Sequence, residues 1–426
     1  MTIFIFLGSL IAAMAIGVPI SFSLLFSGAA LMWHMNTFDA QILAQNVIEG
    51  ANSFPLLAVP FFMLAGEIMN AGGLSRRIVQ FAMALVGHIR GGLGYVAIMA
   101  AVIMAALSGS AVADAAALSS LLLPMMVHAG HDKARSAGLL ASASIIAPII
   151  PPSIGFVIFG VAGGVSISKL FMAGIAPGVM LGLALCATWW WVARKEVVEV
   201  PARRNRGEIF EALKQAVYAL GLPVIVVVGL KFGVFTPTEA AVVAAVYALL
   251  ISVFVYGELK FNQLYGLFLA AAKTTSVIMF LVAAAMVSAW LITVAQLPTQ
   301  LVELLEPLLD SPKMLMFAIM VLVIVVGTAM DMTPTILILT PVLMPIVKAA
   351  GIDPVYFGVL FIINNAIGLI TPPVGTVLNT VAGVGKVSMD DVTKGVWPFM
   401  LAQFALMFLM VLFPEIVMAP ARWLAN

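Results

Sequence analysis

Two short interruptions in otherwise apolar sequence constrain this chain more than any other feature. Gly327–Thr335 reads Gly-Thr-Ala-Met-Asp-Met-Thr-Pro-Thr, and Thr371–Gly375 reads Thr-Pro-Pro-Val-Gly. One holds an acid at its centre, the other a Pro-Pro pair, inside stretches with the composition of membrane-spanning helix. Main-chain groups freed within hydrocarbon are costly unless they line a protein cavity. Two such breaks therefore predict a built site at mid-membrane depth. The first half carries the same arrangement. Ser108-Gly109-Ser110 precedes Asp114 and Pro124, and the break Pro148-Ile-Ile-Pro-Pro-Ser153 follows. Asp114 to Pro124 spans ten residues, as does Asp331 to Pro341; Pro19 and Pro237 lie 218 apart and the two Asp 217 apart. Interrupted segments duplicated in matching positions are the sequence pointer to a transporter binding site.

Composition sets the environment. The chain is 63% hydrophobic and 9% charged, against about 25% charged residues in soluble domains. This predicts an all-α polytopic membrane protein, surrounded by lipid bilayer. A net charge of +1 argues against a nucleic-acid partner. The single Cys186 lies in an apolar span and reads as packing, so neither a disulfide framework nor a thiolate cluster is expected. The four His fall near predicted span ends without the context of a metal site. No cofactor is expected. No basic region precedes apolar residues 1–34, which favours a first span over a cleaved signal.

In order, spans are predicted at 2–17 and 19–35, an interfacial helix at 38–50, and a span at 54–70 containing Glu67. An amphipathic stretch follows at 72–88. Segments 92–107 and 113–128 are short for single crossings, which need about 20 residues, and read as a re-entrant hairpin turning at 108–110. Residues 134–147 and 153–163 are two halves of a broken helix. A long span at 169–193 ends in Trp189, Trp190 and Trp191, an interfacial anchor. Arg194–Lys214 is the charged connector between the halves. The second half repeats the order with spans at 217–234 and 237–256, an interfacial helix at 258–270, and a span at 273–293. An amphipathic stretch at 297–309, a hairpin at 313–350 with its tip at 327–333, a broken helix at 355–385 and a last span at 397–418 complete it. Thr236-Pro-Thr-Glu239 has capping-box spacing. This topology puts 15 of the 20 basic residues on one side, which the positive-inside rule makes cytoplasmic. Both termini then face outward, and the hairpins enter from opposite sides as inverted repeats.

Hairpin tips and helix breaks expose carbonyls and amides without helical partners. Carbonyls and nearby hydroxyls can hold Na⁺, and amides at half-helix starts can hold a carboxylate. The candidate sodium ligands are Ser108, Gly109, Ser110, Asp114, Pro148 and Pro151 in one half, and Gly327, Thr328, Asp331, Thr371 and Gly375 in the other. Candidate substrate contacts are Ser110, Ser153, Thr333, Asn364, Asn365 and Thr376. Intramembrane acids are functional suspects by default, yet Asp114 and Asp331 also suit helix capping. Glu67 suits an interhelical polar contact, and Asn364 and Asn365 suit either bridging or lining. No Lys or Arg is predicted at mid-depth, so a bound cation would precede an anion. Inward Na⁺ gains about 2.3 kcal/mol per 100 mV, and two or more would carry a monoanion inward against the field.

The segments Pro60–Met69, Leu107–Asp114, Ile149–Ser153, Phe235–Ala240, Asp331–Pro341 and Gly368–Gly375 closely resemble the large membrane subunit of tripartite ATP-independent periplasmic (TRAP) transporters. The likeness spans essentially the whole chain. Residues 70–75 and Ser166–Pro177 are most similar to members serving keto-sugar acids such as 2,3-diketo-L-gulonate. The resemblance implies Na⁺-driven uptake of an organic acid across a bacterial inner membrane. It also implies a small four-helix membrane subunit, a periplasmic solute-binding protein, and an elevator with a scaffold and a mobile transport domain. On this chain the partition would be 1–89 scaffold and arm, 90–165 transport, 166–311 scaffold and arm, 312–386 transport, and 387–426 last span. The stretches 72–88 and 297–309 would be the connecting arms. The rival readings are a stand-alone sodium–dicarboxylate symporter of inverted-hairpin type, a passive channel, and an intramembrane aspartyl protease using Asp114 and Asp331. A protease needs two carboxylates converging on one water, whereas each Asp here belongs to its own repeat.

Overall fold

The computed structural model describes residues 2–425 apart from 195, 197, 199–201, 298, 300, 301 and 303–308. Among the described residues all regular structure is helical. The first half contains α1 (Thr2–Ala15), α2 (Ile20–His34), α3 (Ala40–Ala51), α4 (Ala58–Ala71), α5 (Leu74–Val86), α6 (Gly92–Ser108), α7 (Ala111–His128), α8 (Lys133–Ser144), α9 (Ile154–Gly163) and α10 (Ile167–Ala193). The second contains α11 (Arg206–Lys231), α12 (Pro237–Leu250), α13 (Phe261–Val294), α14 (Pro312–Gly327), α15 (Met332–Ala349), α16 (Pro354–Gly368), α17 (Thr376–Gly385), α18 (Met389–Leu412) and α19 (Glu415–Ala425). A 3₁₀ turn at Phe54–Leu57 leads into α4, and a π-helical turn at Ile251–Val255 ends α12. Eight of the described segments are long and apolar enough to cross a membrane.

The helix starts follow from capping chemistry. Side chains of Asp39, Ser110, Asp132, Ser153, Ser166 and Asp353 each accept an orphan amide at a helix start. Asn205–Glu208 and Thr236–Glu239 form reciprocal capping boxes, so Glu239 is a cap.

Four expectations change. Residues 258–270 and 273–293 are not separate elements but one 34-residue helix, α13. Nothing at their junction breaks a helix: Ala270-Ala-Ala-Lys273 are good helix formers. The first half does break at the same stage, where Asn52, Ser53 and Pro55 separate α3 from α4. The charged connector is half helical, because the Asn205 capping box starts α11 eleven residues before 217. The last span runs over α18 rather than 397–418, and Pro414 precedes a further helix, α19. Of the three consecutive tryptophans only Trp190 and Trp191 are exposed. Trp189 is fully buried, donates from Nε1 to Gly91 O at 2.8 Å, and stacks on Phe399. The arm expected at 297–309 falls mostly outside the described residues; its counterpart at 72–88 is α5.

The packing sorts the helices into two bodies. In one, α13 lies on α2, α3 and α4, α12 lies on α4, and α11 on α5. Ser288 Oγ donates to Leu24 O at 3.3 Å across α13 and α2. In the other, α6–α9 and α14–α17 are enclosed by α10, α18 and α19. There α8 and α18 approach so closely at Gly138 and Gly395 that a Cβ on Gly138 would lie 2.2 Å from the Gly395 carbonyl carbon. Gln403 Nε2 of α18 donates to Ser142 O of α8 at 2.9 Å. The packing therefore groups α10 and α18 with the hairpins, where the sequence partition set 166–311 and 387–426 apart. The bodies meet where α5 packs on α6, where α4 touches α6 and α9, where α11 touches α6 and α10, and where α13 lies on α15.

Candidate functional site: two hairpin tips and two helix breaks

Each hairpin folds as a helix, a tight turn and a return helix. In the first, α6 ends at Gly109, whose φ of 60° suits glycine, and α7 starts at Ser110. A Cβ on Gly109 would lie 2.6 Å from Pro152 O, so the tip rests on the first helix break. In the second, α14 ends at Gly327 and α15 starts at Asp331. Gly327 packs main chain to main chain against Gly368, at the second break. The halves also interlock crosswise: α9 lies along α15, and α17 along α7. A Cβ on Gly155 would stand 3.3 Å from Met332 Cε, which joins break one to tip two. Both breaks contain a cis Pro-Pro bond, Pro151-Pro152 and Pro372-Pro373. Both tips and both breaks thus form one contiguous cluster.

The structure corrects the repeat register. Asp114 and Asp331 are not equivalent, despite their equal spacing to Pro124 and Pro341. Ser110 and Asp331 are the residues that begin the two 18-residue return helices. They are 221 residues apart, as are Asp132 and Asp353, which cap the next helices, and Pro151 and Pro372. Pro124 then matches Pro345, and Asp114 matches Thr335.

The two acids consequently have different surroundings. Asp114 is fully buried in the first turn of α7. Its Oδ1 accepts from Ser108 Oγ at 2.6 Å, and its Oδ2 is buried with no hydrogen-bond partner. It caps nothing: Ser110 Oγ accepts the Ala113 amide at 3.4 Å, and the Ser110 amide donates to Ser108 Oγ at 3.3 Å. The positive end of α7 favours negative charge here, but one hydrogen bond is a sparse shell for a buried carboxylate. Oδ2 thus has room in its bonding for a cation, a proton or a water molecule. Asp331 is exposed and stands at the cap position, yet its side chain makes no capping bond. Its Oδ1 accepts from Thr376 Oγ1 of α17 at 3.3 Å, tying tip two to break two.

The remaining candidates divide. Pro148 O accepts from Ser153 Oγ at 2.5 Å, and that hydroxyl accepts the Phe156 amide at 3.1 Å. Ser153 is therefore a fully buried cap, with no surface for a substrate. Thr328 Oγ1 donates to Val325 O at 2.7 Å, and Thr371 Oγ1 to Ile367 O at 2.8 Å, both within their own helical turns. Asn364 bridges helices: its Nδ2 donates to Met320 O of α14 at 2.7 Å. Asn365 Nδ2 donates to Phe361 O at 2.8 Å. Both amide oxygens are buried without partners. Thr333 and Thr376 are half-buried beside Asp331, and Gly375 starts α17 in the left-handed region at φ 45°. Glu67 makes no side-chain hydrogen bond to any described residue and lines a crevice between the bodies. The interhelical contact expected of it is therefore absent among the described residues. Its neighbour Gly66 is where α4 meets the Ser108 backbone, and a Cβ there would lie 3.7 Å from Ser108 Cα.

A pair of repeats, each a hairpin followed by a broken helix and interlocked around one cluster, defines a polytopic membrane transporter. The chain belongs to the DctM family, described as the tripartite ATP-independent periplasmic transporter, DctM component, which matches residues 7–416. It is 57% identical over 424 residues to the 2,3-diketo-L-gulonate TRAP transporter large permease protein YiaN of Escherichia coli (strain K12), covering all of both chains. It is 38% identical over 414 residues to the sialic acid TRAP transporter large permease protein SiaM of Vibrio cholerae, covering 97% of this chain and 96% of that one. Its fold is similar to that of the Alcanivorax borkumensis YdaH transporter, with a TM-score of 0.64 at 15% identity over 90% of this chain and 88% of that one. The chain is thus a TRAP large permease, an integral inner-membrane transporter and not an enzyme. Its family implies a small membrane subunit and a periplasmic binding protein as partners.

Proposed function

We propose that this chain is the translocating subunit of a sodium-driven importer of a sugar acid, with 2,3-diketo-L-gulonate as the first candidate. The observation that carries the reading is the contiguous cluster of tips and breaks, with Asp114 Oδ2 buried and unpartnered beside it. A buried acid with one free oxygen fits a monovalent cation. One ion would be held around Asp114, Ser108, Gly109 and Ser110 with carbonyls of Pro148 and Pro151. A second would be held around Asp331, Gly327, Thr328, Thr371 and Gly375. Bound Na⁺ would then offset both acids and admit the anion. The body containing α6–α10 and α14–α19 would move as the elevator against α1–α4 and α11–α13, with α5 as one arm. This moving part is wider than the hairpins and broken helices, because Gly138–Gly395 and Gln403–Ser142 tie α18 to α8. The substrate assignment draws on the relative with 57% identity. A four-helix small subunit and a periplasmic solute-binding protein would complete the assembly, with both termini of this chain periplasmic.

The test is uptake into proteoliposomes holding this chain and its small subunit, with the binding protein loaded with 2,3-diketo-L-gulonate outside. An inward Na⁺ gradient should drive accumulation, and collapsing the gradient should stop it. Uptake indifferent to Na⁺ would overturn the coupling, and uptake without the binding protein would favour a stand-alone symporter.

A further inference from the structure

A crevice of about 660 Å³ opens between the two bodies, within the size range of small-molecule sites. Glu67 and Asn70 of α4, Ser75 and Arg76 of α5, and Glu258 of the α12–α13 turn form one wall; Ser120 and alanines of α7 form the other. The charges in it are unequally satisfied. Arg77 donates to Gly73 O at 3.0 Å, reaches Glu258 Oε1 at 2.6 Å, and lies 3.7 Å over the Tyr256 ring. Arg76 has a single described partner, the same Glu258 oxygen at 2.6 Å, and its side chain is 54% exposed. Burial pushes the Glu258 carboxyl up, but the bonds from Arg77 and Arg76 outweigh this and hold it below the ordinary carboxylate value. Two guanidinium groups therefore share one carboxylate, and Arg76 is the more exposed of the two. Glu67, half-buried on the same wall, has no described partner and can only accept hydrogen bonds while ionised.

We infer that this crevice is a release subsite for a polyhydroxylated monocarboxylate, in which Arg76 takes the carboxylate and Glu67 accepts the substrate hydroxyls. The inference rests on the importer reading and deepens it. An ion pair with Arg76 gives bidentate geometry, and Glu67 repels a second carboxylate. The crevice thus discriminates a sugar acid from a dicarboxylate after it has left the binding protein. Its Arg76–Glu258 end lies on the side that the basic residues assign to the cytoplasm.

The test uses inside-out membrane vesicles holding this chain and its small subunit, with Cys186→Ala and Ser120→Cys introduced. A membrane-impermeant maleimide should label the new thiol, and 2,3-diketo-L-gulonate should slow labelling while succinate does not. Glu67→Gln and Arg76→Gln should each raise the half-protecting concentration about tenfold, the scale of one lost charged hydrogen bond. Arg76→Lys should restore part of it. Unchanged labelling without substrate shows that each variant keeps its fold, and Ala117→Cys serves as a second reporter. Two inaccessible thiols, equal protection by succinate, or protection unaltered in both variants would overturn the subsite. If Na⁺-driven uptake by the unmodified transporter stands while protection fails, only the subsite falls; if uptake fails as well, the importer reading falls with it.

Discussion

The two hairpins have one backbone plan and opposite treatments of their acids. Ser110 and Asp331 occupy the same place, the first residue before an 18-residue return helix. In the first hairpin the acid sits one turn farther on, at Asp114, sealed beneath the tip and bonded by Ser108. In the second that position is Thr335, whose hydroxyl only donates to Asp331 O at 2.8 Å, and the acid has moved out to the exposed tip. A shift of one helical turn thus converts a closed acid into an open one while the fold is unchanged. Duplication has kept the helix boundaries and let the chemistry diverge. On the proposed sodium coupling the two acids would make unequal cation sites. In the closed one an ion would replace its water with protein oxygens, and in the open one it would keep part of its hydration.

The widest gap between the hairpins should open on removing the acids. Asp114→Asn should abolish Na⁺ activation or weaken it about 100-fold, since an uncompensated change in a buried charge site is worth about 3 kcal/mol or more. Na⁺ titration of initial uptake rates in proteoliposomes measures it. Wild-type activation in Asp114→Asn would remove the closed site from the comparison. Ser108→Ala is the companion. It leaves Asp114 Oδ1 without its 2.6 Å donor, at a cost of about 1.5–3 kcal/mol for a bond to a charged group, read as a lower melting temperature that added Na⁺ partly restores.

The next effect concerns the turns themselves. Gly109→Ala forces a Cβ to within 2.6 Å of Pro152 O at a φ of 60°, a strain of about 1–3 kcal/mol. Gly327→Ala meets Gly368 Cα at 3.3 Å without a positive φ, and should cost less. Thermal unfolding of the two purified variants should rank them in that order. The reverse order would mean that tip one is not the more tightly seated of the two.

Much of this plan was legible from punctuation. Gly109, Ser110, Pro148 and the Pro-Pro pairs interrupt apolar runs with clustered turn residues, so tips and breaks were placed to within a few residues. The acid register was not legible, because α15 carries both Pro341 and Pro345. The spacing from Asp331 to Pro341 copies that from Asp114 to Pro124, while the helix starts pair Pro124 with Pro345. Only main-chain hydrogen bonding decides between them. The continuity of α13 was hidden by its polar first turns, which mimic an interfacial helix although no residue there ends one. The grouping of α18 with α8 depends on Gly138 meeting Gly395, a contact across 257 residues that local pattern cannot report. Trp189 resembled its two neighbours in composition alone, and its burial follows from Gly91 and Gly94, which leave room for the indole.

Asp331→Asn tests the open side. The residue is exposed, and its one described side-chain bond is the 3.3 Å contact with Thr376. Loss of charge should weaken Na⁺ half-activation several-fold, on the order of 1 kcal/mol in a solvated site, and leave the melting temperature unchanged. An effect as large as that of Asp114→Asn would show that tip two closes over its ion during the cycle, and the two sites would then be alike when loaded.

Thr376→Val should be the mildest change. It removes only the hydroxyl that links break two to tip two, at a length near the limit of a hydrogen bond and beside solvent, so water can replace it for about 0.5 kcal/mol or less. Uptake rates should fall by less than about 2.5-fold by that arithmetic. Because Thr376 starts the half-helix α17 and Asp331 starts α15, the bond spans the two elements that would carry any closure of the open site. A loss of ten-fold or more would therefore mean that the bond shortens and is shielded in another state of the transporter. The difference between the hairpins would then belong to one conformation and not to the sequence.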